Sequence, residues 1–295
     1  MRVQHVWIPW WDDIEIPSSF TRAASQSKDF REVTFYVPMY MGDGWTYSVI
    51  AEMPNLQYVQ LPTAGYEGVI PYLRPDITLM NAKGVHEAAT AELAVALAIA
   101  SRRGMDAFIR GQAEQNWDHR RFPGLTDSHI AIVGFGSVGQ RIAHYLANFE
   151  VEITGYSRSG RDGSSLISSL DSNIHKFDVI FLATPLTAET HHLFDKQRLA
   201  LMKDGALLVN VARGPVVDNA ALEAELLSGR IFATLDVTDP EPLPKDHSLW
   251  NAPNLIISPH VGGDTDAFEP RIKKLISEQL FRIDRGEAVI NQIAF

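Results

Sequence analysis

The chain has 295 residues, 45% hydrophobic and 21% charged, with a formal net charge of −10 and no cysteine. This is the composition of a globular protein of one large or two ordinary domains, not of a disordered chain. The acidity argues against nucleic acid or an anionic membrane surface as a partner. The absence of cysteine excludes disulfides, thiolate metal sites and cysteine nucleophiles, and it fits a reducing, cytoplasmic setting.

The opening stretch MRVQHVWIPWWDD lacks the pattern of a signal peptide. Three β-branched and aromatic runs bounded by turn residues predict strands: REVTFYVP (31–38), LQYVQLP (56–62) and ITLMNA (77–82). Residues 46–53 read as a short helix. HEAATAELAVALAIASRRG (86–104) predicts a long helix stopping at Gly104. It is apolar on most faces, so burial between layers or domains is expected. Its apolar centre, ELAVALAIA (92–100), falls far short of the roughly 20 residues that span a bilayer. A polar segment, 110–128, follows.

From His129 onward strands and helices alternate. IAIVGFG, EVEITGYS, FDVIFLATP, GALLVNVAR, IFATLDV and NLIISPH predict strands, and SVGQRIAHYLANF and NAALEAELLSGR predict helices. The nearly continuous apolar strands imply a sheet covered on both faces, hence a doubly wound parallel sheet. An amphipathic helix, EPRIKKLISEQLFRIDRGE, leads to a terminal strand, AVINQIAF. This tail fits poorly into the parallel sheet and is expected to return to the N-terminal part.

GFGSVG places Gly134, Phe135, Gly136, Ser137, Val138 and Gly139 between a strand and a helix in G-x-G-x-x-G spacing. Gly134 permits the tight turn, Gly136 lets the backbone approach a pyrophosphate, and Gly139 lets helix and strand pack closely. The pyrophosphate then sits at a helix N-terminus, where free N–H groups and the dipole favour an anion. Where such folds carry an acidic residue for the ribose hydroxyls of NAD, this chain reads Ser157, Arg158, Ser159. A carboxylate there would repel the 2′-phosphate of NADP, whereas these serines can donate to it and Arg158 can pair with it. NADPH is therefore the expected cofactor, ahead of NAD, with Arg161 a candidate helper. The bland alternative makes Arg158 a solvated loop residue.

Three later segments end predicted strands on the side where open α/β sheets bind ligands. NVARGPVVD supplies Arg213, TLDVTDPEPLP supplies Asp236 and Glu241, and SPHVGG supplies His260. Reduction of a 2-oxo acid needs a proton donor for the carbonyl oxygen, and a charged imidazole suits it. Glu241 can supply the anion that favours that charge. Arg213 is the planar, permanently charged donor suited to the substrate carboxylate and the polarised carbonyl. Singly, each residue has a structural reading; the set in this order points to chemistry. The histidines His5, His86, His119, His144, His175 and His247 are scattered, and His191–His192 lacks further ligand spacing, so a metal site is not expected.

Over nearly its whole length the chain resembles the D-isomer-specific 2-hydroxyacid dehydrogenases, through GFGSVG, ATPLTAET, NVARGPVVD, LDVTDPEPLP and SPHVGG in order. NAKGVHEAATAEL resembles their interdomain helix and LPTAGYE their substrate-carboxylate loop. The resemblance implies two Rossmann-like domains: a discontinuous substrate-binding domain, 1–92 with 266–295, and a dinucleotide-binding domain, 93–265. It implies Arg213, Glu241 and His260 as the catalytic set. Ala64 and Gly65 would bind the substrate with Arg213 and His260. Thr184, Pro185, Val211, Asp236 and Gly262 would line the cofactor. A homodimer is implied as well, and residues around Trp117 suit its interface. The Ser-Arg-Ser stretch and the ending IDRGEAVINQI look most like NADPH-using glyoxylate/hydroxypyruvate reductases. The competing readings are a bulkier 2-oxo acid or an anion such as phosphite as substrate, and a non-catalytic nucleotide-sensing protein. Trp45, Tyr66 and the WIPWWDD segment are weighed between pocket and core.

Overall fold

The computed structural model describes residues 4–24, 26, 29–42 and 44–295; the first three residues of the stretch read above for a signal peptide lie outside it. Along the first 86 residues run β1 (Gln4–Trp7), β2 (Phe20–Arg22), β3 (Phe35–Tyr36), α1 (Trp45–Ser48), β4 (Tyr58–Gln60) and β5 (Thr78–Met80). Then come α2 (Glu87–Arg102), α3 (Met105–Ala113), β6 (His129–Val133), α4 (Ser137–Leu146), β7 (Glu152–Ser157), β8 (Ser165–Leu166) and β9 (Val179–Leu182). The chain continues through α5 (Lys196–Ala200), β10 (Leu207–Asn210), α6 (Asn219–Leu227), β11 (Phe232–Leu235), β12 (Leu255–Ile257), α7 (Phe268–Asp284) and β13 (Gln292–Ile293).

Two compact units result, Met1–His86 with Asp264–Phe295, and Glu87–Gly263. The expected crossings lie at 92/93 and 265/266. In the structure all of α2 belongs to the second unit, because its alanine-rich face packs on α4 and against β10 and β11.

In the first unit the described residues form one sheet in the order β13-β5-β4-β3-β1-β2, parallel except for β13, which runs antiparallel to β5. The tail therefore does return to this unit. Its anchor is buried Gln279 of α7, whose Nε2 donates to Ile290 O at 2.7 Å and whose Oε1 accepts from Ile290 N at 3.0 Å. One sheet face buries Val6, Phe35 and Met80 under Phe268, Ile272, Ile276 and Leu280 of α7. The other buries Trp7, Tyr36, Val59 and Leu79 with Val49, Ile50 and Met53. Trp7 stacks on Tyr36 at 4.9 Å, so this part of the aromatic N-terminal segment is core.

In the second unit the described strands order β12-β11-β10-β9-β6-β7-β8, all parallel. β9 and β10 are buried at every position, as expected with helices on both faces. Odd and even residues divide the core: Ala131, Val133, Ile180, Leu182 and Leu208 on one side, Ile130, Ile132, Phe181, Leu207 and Val209 on the other. The register aligns Ile257, Leu235, Asn210, Leu182, Val133 and Tyr156 in one row across six strands. Every candidate residue of this unit lies just beyond that row, at the carboxyl edge. The order reverses between β6 and β9, which makes their exits the switch point where such sheets open a crevice.

The sequence patterns give no sign of β1, β2, β8, α5 or α3. Gly104 does end α2, with φ +61, but the chain at once begins α3, whose second half lies in the segment read as merely polar. The Phe122 ring occupies the space a Cβ on Gly104 would need.

Candidate active site

The glycine turn is built as its spacing requires. Gly134 has φ +96, and a Cβ on it would lie 2.5 Å from the Ala183 carbonyl carbon and oxygen. A Cβ on Gly139 would lie 2.1 Å from Gly134 O, so α4 approaches the turn as only glycine allows. Gly136 is exposed, and a Cβ there would meet nothing of the chain. The amides of Ser137, Val138 and Gly139 make no hydrogen bond among the described residues. These amides, at the positive end of α4, fit a pyrophosphate. Phe135 lies over Gly155 of β7, whose missing side chain makes room for the ring. Thr184 and the exposed Pro185 leave β9 beside this turn, and Val211 N donates to Leu182 O across the next strand.

At the end of β7 one expectation changes. Ser164 Oγ donates to Arg161 O at 2.6 Å, so Ser157 is the donor in its 2.7 Å bond to Ser164 Oγ. Ser157 Oγ also accepts from Gly160 N at 3.0 Å. The Ser157 hydroxyl thus braces its own loop and has no proton left for a phosphate. Arg158 and Ser159 are exposed. The Glu189 carboxyl, just past the β9 exit, lies below the usual range, chiefly through its hydrogen bond from Thr187 and in smaller part through Arg158.

Beyond β10, β11 and β12 the structure brings Arg213, Glu241 and His260 together. Glu241 Oε1 bonds His260 Nδ1, which leaves Nε2 as the ring nitrogen without a partner among the described residues. Burial pushes the Glu241 carboxyl up, but the hydrogen bond and charge of His260, a Thr238 backbone bond and Arg213 outweigh it, and its pKa is lowered. Arg213 hangs from a loop held by Asn210, whose Oδ1 accepts from Ala212 N at 3.0 Å and whose Nδ2 donates to Arg213 O at 3.1 Å. Next to it Gly214 presses on the Thr238 carbonyl, 2.0 Å from where a Cβ would sit. His260 has φ +54, a left-handed backbone that costs a non-glycine residue about 1–2 kcal/mol.

Asp236, expected to face the cofactor, is buried and bonded to the His260 loop. Its Oδ1 accepts from Ser258 Oγ at 2.6 Å and Val261 N at 3.0 Å, and its Oδ2 accepts from Gly262 N at 2.9 Å. Gly262 is glycine because a Cβ would lie 2.9 Å from that Oδ2.

In the first unit, Ala64 and Gly65 follow β4 in a turn held from behind. Asn81 Nδ2 donates to Ala64 O at 2.7 Å, Thr63 Oγ1 donates to Gly65 O at 2.8 Å, and His86 Nε2 bonds Pro62 O at 2.8 Å. The Ala64 and Gly65 amides have no hydrogen-bond partner among the described residues. Two adjacent free N–H groups suit a carboxylate. Tyr66 packs on the aromatic core, whereas Trp45 meets Trp7 edge-on and stays half-exposed.

A family model described as the NAD binding domain of D-isomer specific 2-hydroxyacid dehydrogenases matches residues 95–262. A glyoxylate reductase of Thermofilum pendens is 34% identical over 262 residues, 83% of this chain and 77% of that protein. The chain belongs to the D-isomer specific 2-hydroxyacid dehydrogenases. Like its family it is an oxidoreductase that uses a nicotinamide cofactor. The fold agrees with solved members. A D-isomer specific 2-hydroxyacid dehydrogenase of Xanthobacter autotrophicus, in complex with NADPH and MES, superimposes with a TM-score of 0.79 at 27% identity over 98% of each chain. An NAD-dependent formate dehydrogenase of Staphylococcus aureus, in complex with NAD, gives 0.75 at 27% identity over 94% of this chain and 88% of that one.

Several residues that shape this dehydrogenase's site escaped the sequence reading: Gly155, Gly214, Ser258 and Asn81. A glycine inside a strand is a signal of close approach, so Gly155 was findable. Ser258 and Asn81 act through loop contacts that no spacing announces.

Proposed function

We propose that this dehydrogenase reduces small 2-oxo acids of the glyoxylate or hydroxypyruvate type to 2-hydroxy acids, with NADPH preferred over NADH and His260 as acid/base. The observation that carries the reading is the Glu241–His260 pair with Arg213 beside it, at the carboxyl edge of the sheet that holds the glycine turn. When bound, the reduced nicotinamide supplies the hydride to the carbonyl carbon. Arg213 orients the substrate and polarises its carbonyl. His260 donates a proton from Nε2 to the carbonyl oxygen, and in the reverse direction takes it back. Glu241, held ionised, fixes the ring through Nδ1 and stabilises the imidazolium. Ala64 and Gly65 donate their amides to the substrate carboxylate. The first unit is thus the substrate-binding domain and the second the dinucleotide-binding one.

NADPH preference rests on exposed Arg158 and Ser159 at a position with no carboxylate; Ser157 supports the loop rather than the phosphate. Among the described residues no helix is long and apolar enough to cross a membrane. A cytoplasmic homodimer completes the proposal. Trp117 is 94% exposed beside a cavity of about 590 Å³ lined by Phe108, Gly111 and Gln112, and burying such a ring against a second copy would remove a large apolar surface from water.

The test is NADPH and NADH oxidation with glyoxylate and with hydroxypyruvate, for the wild type and Arg158→Asp. Turnover that favours NADPH and shifts toward NADH in the variant supports the proposal. Equal or faster turnover with NADH sinks the cofactor preference. Tight cofactor binding without turnover sinks the substrate reading.

A further inference from the structure

His260 is a non-glycine residue in a left-handed backbone, three residues past the end of β12. Something must hold it there, and one neighbour gathers nearly all the restraints. The Asp236 carbonyl accepts from His260 N at 2.8 Å. Its carboxylate takes Ser258 Oγ, Val261 N and Gly262 N. Four bonds thus tie one residue at the end of β11 to four of the five residues from 258 to 262. Asp236 is itself fixed by donating its amide to Asn210 O at 2.9 Å, on the strand that carries the Arg213 loop. Resting on the proposed role of His260 as proton donor, we infer that Asp236, clamped by the Ser258 hydroxyl, is a positioning residue that aims the His260 ring.

The physical logic is that of a preorganised site. Glu241 restrains the ring at Nδ1 only, and a single hydrogen bond allows the imidazole to swing about it. Fixing the backbone on both sides of His260 removes that freedom, so Nε2 keeps one direction before substrate arrives. Three donors also satisfy a carboxylate that is buried. An amide in its place has one acceptor oxygen and a donor group turned toward other donors, so at least one loop bond is lost.

The experiment compares full-length wild type, Asp236→Asn, Ser258→Ala and Ser258→Thr. Three quantities are read: kcat with NADPH and glyoxylate, Kd for NADPH by fluorescence, and the His260 ring resonances in long-range ¹H–¹⁵N spectra. Ser258→Ala is expected to lower kcat several-fold, and Asp236→Asn at least about tenfold, with Kd within about twofold of wild type. Both variants shift or broaden the His260 ring signals, and Ser258→Thr, which keeps the hydroxyl, restores signals and turnover. Unchanged kcat and unchanged ring signals in Ser258→Ala overturn the inference, and this variant decides the matter if Asp236→Asn fails to fold. A weakened Kd with intact kcat and ring signals also overturns it, making Asp236 a cofactor ligand alone. Should the wild type turn over neither 2-oxo acid, the functional proposal fails by itself. The ring spectra still decide the clamp, supporting it if they change in the variants and overturning it if they do not.

Discussion

Both sheets end their parallel strands in loops at a carboxyl edge, but they equip that edge differently. In the second unit the proposed working groups are side chains, Arg213, Glu241 and His260, each fixed by neighbours on adjacent strand exits. In the first unit the proposed groups are backbone amides, those of Ala64 and Gly65, in a turn whose carbonyl side Asn81, Thr63 and His86 hold. Chemistry done by side chains needs particular residue types at particular places. Anion binding by amides needs only a backbone shape, which many sequences can adopt.

The sharpest way to test this contrast is His260→Gln. Loss of a general acid is expected to lower kcat by about 10²–10⁴ while cofactor affinity holds, read by steady-state kinetics and NADPH titration. A loss under about tenfold would mean that proton donation lies elsewhere. The glycine turn offers an internal control. Gly139→Ala meets Gly134 O and should destabilise the second unit by about 1–3 kcal/mol in denaturant unfolding. A Cβ at Gly136 meets nothing within 4 Å, so Gly136→Ala should leave unfolding nearly unchanged and weaken NADPH binding about tenfold or more. If both variants unfold alike, the turn's open face is structural after all.

The Glu241 pair predicts a pH signature. Its carboxyl is lowered from the ordinary 4.5, so what the ionised group contributes is present above that value and lost as pH falls through the lower, folded one. At pH 5 the melting temperature of wild type should exceed that of Glu241→Gln, and the margin should shrink as pH falls below 4.5. A margin that closes instead between pH 6 and 7 would assign the effect to another group. The smallest effect is expected in the first unit. Asn81→Ala removes the bond to Ala64 O, worth about 0.5–1.5 kcal/mol, and should raise KM for the 2-oxo acid up to about tenfold with kcat nearly unchanged. A fall in kcat as large as that of His260→Gln would erase the distinction between the two edges.

The same contrast explains what was legible. GFGSVG, NVARGPVVD and SPHVGG stand out because close packing demands glycine at Gly134, Gly139, Gly214 and Gly262 and because charged residues end apolar strands. β9 and β10 were equally plain, since burial on both faces requires unbroken apolar runs. β8, two exposed residues, and β2, with one buried residue of three, carry no apolar run to mark them. α3 was obscured by polarity: it is a surface helix with no buried residue. Ser157 is instructive in the other direction. Residue type suggested a phosphate donor, but the hydroxyl bonds Ser164, a partner seven residues on that only the folded loop supplies.

By itself the sequence determined the alternation of strands and helices in the second unit, the glycines at its turn and the residue types available for proton transfer. These are local: each follows from periodicity, from the volume a glycine leaves, or from the chemistry of one side chain. The tertiary structure decided which of those groups meet. Strand order and register set Leu182, Asn210, Leu235 and Ile257 in one row, and so delivered residues 28 and 19 positions apart, Arg213, Glu241 and His260, to one edge. Asp236 could be named as a candidate from its place after β11. Its bonds to Ser258, Val261 and Gly262 exist only because β12 lies beside β11, a pairing that no short stretch of sequence encodes.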